Sequence, residues 1–375
     1  MLAVVMAGGE GRRLHPLTLN RPKPMVPVLD KPILEYTVRL LRRSGFRRIV
    51  MTLHYLSDRV IQYFGDGGRL GVEVSYSVEE KPLGTAGGVK AAVGGDERIL
   101  VWSGDVLSTF DIKDMIRQHK KSGAIVTMAA TYVDDPTRFG MILADQSGKI
   151  NGFVEKPSRE KIVSNLINCG VYVLEPEVLK LIPDEKFYDF SRHLFPRLLK
   201  DGFSLYAYVI DGFWSDIGTP SQYLKVNLMA LQGGIPGLEI EAKDMGGRIL
   251  VSDEAEVDEA EISGPAYIGS GVRLRGKSII GPNTIIGSRD IVGRGVTIRG
   301  SVVWEDTVIH DSAKILGAIV GNGCVIGRGA EIMEDSIVSD SCKIGGFSVI
   351  KPEAKIWPGI EVKPHTVVSE DLRDL

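Results

Sequence analysis

The sequence is poor in cysteine and histidine, carries no excess of positive charge and has no long apolar run. Its three cysteines, Cys169, Cys324 and Cys342, form no CxxC pair. That excludes a disulfide framework or a thiolate zinc site as the organising feature and makes the three reduced core thiols. A formal net charge of −3 argues against a general nucleic-acid surface, which would be basic, so no nucleic-acid partner is expected. No apolar stretch approaches the roughly 18 residues of a membrane span, so no membrane partner is expected either. The N-terminus shows no positive region ahead of its short apolar stretch; no signal peptide is read there, and a cytoplasmic location is expected by default. Two phosphate-binding fingerprints are also missing. In Gly9-x-Gly11 the third glycine of G-x-G-x-x-G is replaced by Leu14, and no GK[ST] follows for a P-loop.

What is present is an ordinary globular composition, 43% apolar and 25% charged over 375 residues, long enough for two domains. Up to about residue 230 strands alternate with helical patterns. Leu2–Ala7, 47–55, 72–78, 98–105 and 124–133 read as strands, and Ile33–Ser44, Ser57–Phe64 and Ile112–Ser122 as helices. Such alternation predicts an α/β domain with a mainly parallel sheet, whose ligands bind beyond the carboxyl ends of the strands. The stretch Val4–Val28, "VVMAGGEGRRLHPLTLNRPKPMVPV", puts Gly8, Gly9 and Gly11 and three cations, Arg12, Arg13 and Lys23, at one such end. Glycines there let the backbone approach a ligand closely, and the cations make that ligand anionic.

Residues 231–247 are glycine-rich and read as a linker between a catalytic domain, 1–230, and a second domain, 248–375. In the second domain the period changes to six: Ile262, Ile268, Leu274, Ile280, Ile286, Val292 and Ile298, then Val320, Ile326, Ile332, Val338, Ile344, Ile350, Ile356 and Val362. The phase slips by about one residue between the two runs. Small or β-branched residues recur four positions later, and Cys324 and Cys342 fall among them. No α-helix buries a period of six on one face, whereas a prism with three short strands per coil does. This predicts a left-handed parallel β-helix of hexapeptide repeats.

The motifs "GGEGRRL", "RPKPMVPVLDKPILEY", "EEKPLGTAGGV", "WSGDVL", "FVEKP", "INCGVYVL", "YDFSRHLFPRLL" and "GFWSDIGTPSQYLKVN", in this order and with the hexapeptide tail, resemble the sugar-nucleotide pyrophosphorylases, and among them the mannose-1-phosphate guanylyltransferases. The resemblance implies a Rossmann-like α/β nucleotidyltransferase domain followed by the β-helix. It also implies a reaction between a nucleoside triphosphate and a sugar 1-phosphate that yields a nucleotide sugar and pyrophosphate. The nucleophile is already an anion, so no catalytic Ser, Cys or His is needed; positioning and charge neutralisation carry the reaction.

By the same resemblance Gly8, Gly9 and Gly11 cradle the triphosphate, Arg13 is the catalytic arginine and Lys23 the phosphate-contacting lysine, with Arg12 a surface neighbour. Asp105 and Asp216 become ligands of Mg²⁺, the implied cofactor, which commonly takes one or two carboxylates plus substrate phosphates. Asp111 reads as a helix cap. Gly140, Glu155, Lys156 and Asn168 match the sugar-phosphate site. Glu79, Gly84 and Thr85, with Gly87, surround the base. Pyrimidine-using relatives carry glutamine where Glu79 stands; a carboxylate, acceptor only, suits guanine's adjacent N1–H and amino donors, so GTP is favoured. Glucose-1-phosphate uridylyl- or thymidylyltransfer and a non-catalytic regulatory homologue are the alternatives. An acyltransferase tail is disfavoured, because His310 and His365 are its only histidines and no long insertion interrupts the repeats. The prism is read as the assembly element of a homo-oligomer.

Overall fold

A computed structural model describes residues 1–94, 97–257 and 259–373. The chain forms two compact units that are not contiguous in sequence. The first comprises Met1–Glu10, Pro22–Met25 and Ile33–Asp216; the second comprises Gly11–Arg21, Val26–Pro32 and Ile217–Leu375.

The first unit is built on a sheet of nine strands among the described residues. Its centre is β1 (Leu2–Met6), with parallel neighbours on both sides. Being covered on both faces it reads as an unbroken apolar run, and Ala3, Val4 and Val5 are fully buried. The succeeding elements are α1 (Ile33–Arg43), β2 (Arg48–Leu53), α2 (Ser57–Phe64), β3 (Glu73–Val78), α3 (Gly84–Ala92), β4 (Ile99–Ser103), β5 (Val106–Ser108) and α4 (Ile112–Ser122). They are followed by β6 (Val126–Tyr132), β7 (Gly140–Ala144), β8 (Ile150–Glu155), β9 (Leu166–Leu174), α5 (Pro176–Lys180), α6 (Phe195–Lys200), β10 (Leu205–Val209) and β11 (Trp214–Asp216). The sheet runs β8-β7-β9-β4-β1-β2-β3, with β6 on β9 and β10 on β6. The four strands β4-β1-β2-β3 are parallel; β7, β8 and β9 add an antiparallel flank. Asp111 caps α4 as its position suggests, accepting from the Lys113 and Asp114 amides at 2.8 and 3.2 Å. Strands β5 and β11 pair separately.

The second unit contains α7 (Pro220–Leu231) and a parallel β-helix; among the described residues its three sheets hold eight, seven and seven strands, the first counting the antiparallel Lys243–Asp244. Aliphatic positions stack from coil to coil, as in Ile268, Ile286, Val303, Val320, Val338 and Ile356, and all of these are buried. The phase slip has a structural cause and is larger than the sequence suggests. Two coils are one residue short, Ile286 pairing with Val303 and Val303 with Val320. The missing residues fall at the turns of Gly300 and Gly317, whose φ values of 59° and 64° tighten the corner. Cys324 and Cys342 lie inside the prism as free thiols. The end of the glycine-rich 231–247 stretch pairs Lys243–Asp244 with Leu250 and Val251 of the first coil. Asn227 on α7 accepts from the Leu29 amide at 2.8 Å, binding the Val26–Pro32 segment into this unit. Among the described residues no helix is long and apolar enough to cross a membrane.

Candidate active site

A cavity opens at the carboxyl ends of β1, β2, β3 and β4. It is lined by Gly8, Gly9, Lys23, Thr52, His54, Glu79, Gly84, Thr85, Ser103, Asp105 and Phe187 among others. The two glycines after β1 have different reasons to be there. A Cβ on Gly8 would crowd the His54 backbone at 3.1 Å, so any larger residue there would need the end of β2 to give by a few tenths of an ångström. A Cβ on Gly9 would meet nothing within 4 Å; the open space over it leaves its backbone free to be approached by a ligand.

Lys23 is the centre of charge. Its side chain is 7% exposed, and Nζ donates to Asp105 Oδ2 and Asp216 Oδ1, each at 2.5 Å. Burial opposes the ammonium charge, but the two carboxylates outweigh it and hold the Lys23 pKa above its ordinary value. Asp105 shows the reciprocal effect: burial pushes it up, Lys23 pulls it further down, and the net is a carboxylate held below its usual range. Ser103 fixes the other oxygen of Asp105 through a 2.6 Å bond. Gly104 is required beside it, because a Cβ there would sit 2.9 Å from the Met6 carbonyl.

Asp105 and Asp216 bring two hard oxygen donors to one point, here the Lys23 ammonium, a donor type compatible with Mg²⁺; among the described residues no cluster of three or more His, Cys, Asp or Glu is found.

Glu79 follows β3 and is half buried; burial raises its pKa, against the Leu83 amide and His54. Its Oε2 accepts from the Leu83 amide at 2.9 Å, so the carboxylate also fastens the start of α3. A Cβ on Gly88 would come within 2.1 Å of Oε1, so a larger residue there would push the Glu79 carboxylate out of its present position. The glycines of "PLGTAGG" answer chiefly to a chain crossing. Gly84, at φ 74°, lies where a Cβ would stand 2.6 Å from the Tyr188 carbonyl, and at Gly87 it would stand 2.8 Å from the Lys186 carbonyl. The Ala86 and Gly87 amides both donate to that Tyr188 carbonyl at 3.0 Å. Thr85 Oγ1 donates to Asp189 at 3.0 Å and accepts from the Phe190 amide at 2.9 Å. The loop around the cavity is thus held by residues 186–190, which also place Phe187, 57% exposed, on the cavity wall. Sequence reading gave Phe187, His54 and Ser103 no role. The "WSGD" motif was the signal for Ser103; nothing local marks the other two.

Gly140, Glu155, Lys156 and Asn168 do not line this cavity. They gather on the antiparallel flank, where Gly140 and Glu155 are register partners. A Cβ on Gly140 would collide with Phe153 at 2.4 Å and meet Glu155 Oε2 at 3.0 Å. Burial, reinforced by Asp189, raises the Glu155 pKa against Lys156 and Arg192. Lys156 has φ 48°, rare for a residue with a side chain, and its amide donates to Phe139 O at 2.9 Å. Asn168 holds a bulge in β9, donating to Tyr172 Oη at 2.8 Å and accepting from the Gly170 amide at 2.9 Å. Gly11, Arg12 and Arg13 belong to the second unit. There Gly11, at φ 72°, starts a single turn, Arg12–Leu14, with both arginines exposed.

The cavity thus sets a glycine turn after a central parallel strand beside a lysine held between two carboxylates. The model of the nucleotidyl transferase family matches residues 2–233, and that of the GMPPB C-terminal domain matches residues 262–363. The chain belongs to the nucleotidyl transferase family. It is 35% identical to a UTP–glucose-1-phosphate uridylyltransferase of Synechocystis, over 87% of this chain and 88% of that protein. It is 32% identical to a mannose-1-phosphate guanylyltransferase of Mycobacterium tuberculosis, over 87% of this chain and 83% of that protein. Among solved structures it is similar to HddC of Yersinia pseudotuberculosis in complex with GMP-PN, at 28% identity and a TM-score of 0.52, covering 60% of this chain and 97% of that one.

Proposed function

We propose that the protein transfers a nucleotidyl group to a sugar 1-phosphate, specifically GTP plus mannose 1-phosphate to GDP-mannose and pyrophosphate. A phosphate oxygen of the sugar attacks the α-phosphorus; the new O–P bond forms as the bond to the β-phosphate oxygen breaks, and pyrophosphate leaves with the electron pair. The observation that carries this reading is the Lys23 ammonium fixed between Asp105 and Asp216 beside the open backbone of Gly9. A buried cation held above its ordinary pKa by the two carboxylates stays charged at neutral pH, and released from them it would compensate phosphate charge.

Arg13 is assigned to the β- and γ-phosphates and the departing pyrophosphate, Gly8, Gly9 and Gly11 to the triphosphate backbone contacts, and Asp105 and Asp216 to Mg²⁺. When bound, Mg²⁺ would neutralise phosphate charge. The Gly140, Glu155, Lys156 and Asn168 cluster is assigned to the sugar phosphate, Glu155 accepting from sugar hydroxyls. Glu79, Gly84 and Thr85 are assigned to the base. Guanine is supported by the acceptor-only carboxylate on the cavity wall, by the guanylyltransferase relatives and by the GMP-PN complex of HddC. Uridylyl transfer to glucose 1-phosphate is the second reading, favoured by the Synechocystis relative. The repeat prism is assigned to self-association. Pyrophosphate release tests the chemistry: Asp105→Asn should lower turnover by roughly a hundredfold or more, and wild-type turnover in that variant would remove Asp105 from the site.

A further inference from the structure

Among the large apolar side chains that stand exposed in the described residues, Phe187 alone also lines the cavity at the carboxyl ends of β1, β2, β3 and β4. A single exposed apolar residue on an open surface is ordinary. One on the wall of a cavity is not, because sites for small ligands combine a few polar groups with aromatic and apolar walls. Backbone bonds fix its place. The amide of Tyr188, its neighbour in the chain, donates to the Leu83 carbonyl at 2.8 Å, and the Leu83 amide donates to Glu79 Oε2 at 2.9 Å. The two backbone groups of Leu83 therefore tie the segment that carries Phe187 and the Glu79 carboxylate to a single residue. The Tyr188 carbonyl, accepting from the Ala86 and Gly87 amides, adds a second tie to the same loop. The Phe187 ring is braced edge-on by His193, with ring centroids 6.2 Å apart at 87°. His193 is itself held, stacked on Tyr188 at 5.1 Å and accepting at Nδ1 from the Asp189 amide at 2.9 Å. Every one of these residues belongs to the first unit.

A carboxylate only accepts, so Glu79 reads the edge of a base and leaves its faces to other groups. A phenyl ring tied to the same loop supplies such a face, and its place is set before a ligand arrives, which lowers the ordering cost of binding. We propose that Phe187 is a nucleotide-binding residue whose ring packs on the face of the base whose edge meets Glu79. The inference deepens the nucleotidyl transfer reading and rests on the assignment of Glu79 to the base made above. Every base has a π-face, so the ring adds affinity with little choice among bases, and Glu79 makes the choice. A contact remote from the α-phosphorus is the same in the ground and transition states, so it acts on nucleotide affinity and KM and leaves kcat alone.

The test is calorimetric titration of the full chain with GTP, with UTP and, as a probe that lacks a base, with tripolyphosphate, each in the presence of Mg²⁺. Steady-state pyrophosphate release with GTP and mannose 1-phosphate follows. Phe187→Ala should weaken GTP by about tenfold and raise the nucleotide KM in step. Tripolyphosphate affinity, kcat, KM for the sugar phosphate and the thermal unfolding midpoint should stay near wild type. Phe187→Leu keeps apolar bulk without the flat ring, so it should show most of the same loss, and it serves as a second variant if Phe187→Ala does not fold. Phe203→Ala removes an exposed ring away from the cavity lining and should change none of these readings. Wild-type GTP affinity in Phe187→Ala or in Phe187→Leu, or an equal loss for tripolyphosphate, would overturn the base contact and leave the transfer reaction standing. A wild type that prefers UTP would overturn the guanine reading alone if Phe187→Ala then weakens UTP about tenfold, and the base contact as well if it does not. GTP binding that depends on Phe187, with no pyrophosphate released from any nucleotide and sugar phosphate pair, would overturn the transfer reaction and leave the contact. A wild type that binds neither nucleotide would overturn both.

Discussion

Replacing Lys23 by methionine removes a charge and almost no volume, and the consequence can be worked from the site. In the wild type one ammonium lies 2.5 Å from an oxygen of each of Asp105 and Asp216. Without it, two carboxylate oxygens no more than about 5 Å apart face each other; at an effective dielectric near 20 that repulsion is roughly 3 kcal/mol. The side chains are 30% and 21% exposed, and screening on the open side brings the cost to about 2 kcal/mol. For a unit of this size that is a fall in unfolding midpoint of about 4–8 °C. The pH dependence should change sign. In the wild type the Asp105 pKa is depressed from 3.8, so its contribution to stability is present above the unfolded value and lost as pH falls through the folded one. In Lys23→Met the like charge raises it instead; the protonated form is then favoured in the folded state, and stability declines as pH rises out of the carboxylate range. Thermal unfolding with a chelator at pH 5 and pH 7.5 reads both effects: the variant should be the less stable at pH 7.5, and the gap should narrow at pH 5. Millimolar Mg²⁺ should then raise the variant's midpoint more than the wild type's. A variant as stable as wild type at pH 7.5, with unchanged pH dependence, would refute the picture of an ammonium compensating two carboxylates.

Gly84→Ala puts a Cβ 2.6 Å from the Tyr188 carbonyl at φ 74°, a strain of about 1–2 kcal/mol from the backbone alone, so the 186–190 segment must shift. Nucleotide KM should rise about tenfold with the sugar-phosphate KM little changed, measured in the same pyrophosphate assay. Asp290 is fully buried inside the prism, where burial raises its pKa well above 3.8 despite a 2.7 Å bond from the Thr307 amide. Its contribution is therefore fully present below the unfolded pKa and lost as pH rises toward the folded one; Asp290→Asn should remove that slope and raise the midpoint at pH 8, as scanning calorimetry would show.

The period of six made the prism legible, because each interior position repeats the same apolar requirement. The same regularity concealed that two coils are short, since a missing residue at a glycine corner leaves the aliphatic spacing intact on either side. Asp105 could be read from its place after an apolar strand. That Lys23 holds it could not, because the partners are separated by 82 residues, and Lys23 and Asp216 by 193; ion pairing over such distances leaves no local pattern. "PLGTAGG" announced a tight backbone, but the crossing chain that needs the tightness lies about a hundred residues on, at 186–190. The allegiance of residues 11–21 was likewise hidden, because composition marks Leu14 and Leu17 as buried without saying against which core.

The central claim is guanylyl transfer to a sugar 1-phosphate in a cavity whose base wall carries Glu79. It is tested most directly by kcat/KM for GTP, UTP, dTTP and ATP, each with mannose 1-phosphate and glucose 1-phosphate, scored by pyrophosphate release. A carboxylate facing a pyrimidine carbonyl or the acceptor N1 of adenine should cost a few kcal/mol, so GTP with mannose 1-phosphate is predicted to exceed every other combination by roughly a hundredfold. A preference for UTP or dTTP with glucose 1-phosphate would contradict the guanylyltransferase account and move base recognition from Glu79 to the backbone of residues 83–88. Pyrophosphate release with none of the eight pairs would contradict the proposed reaction itself.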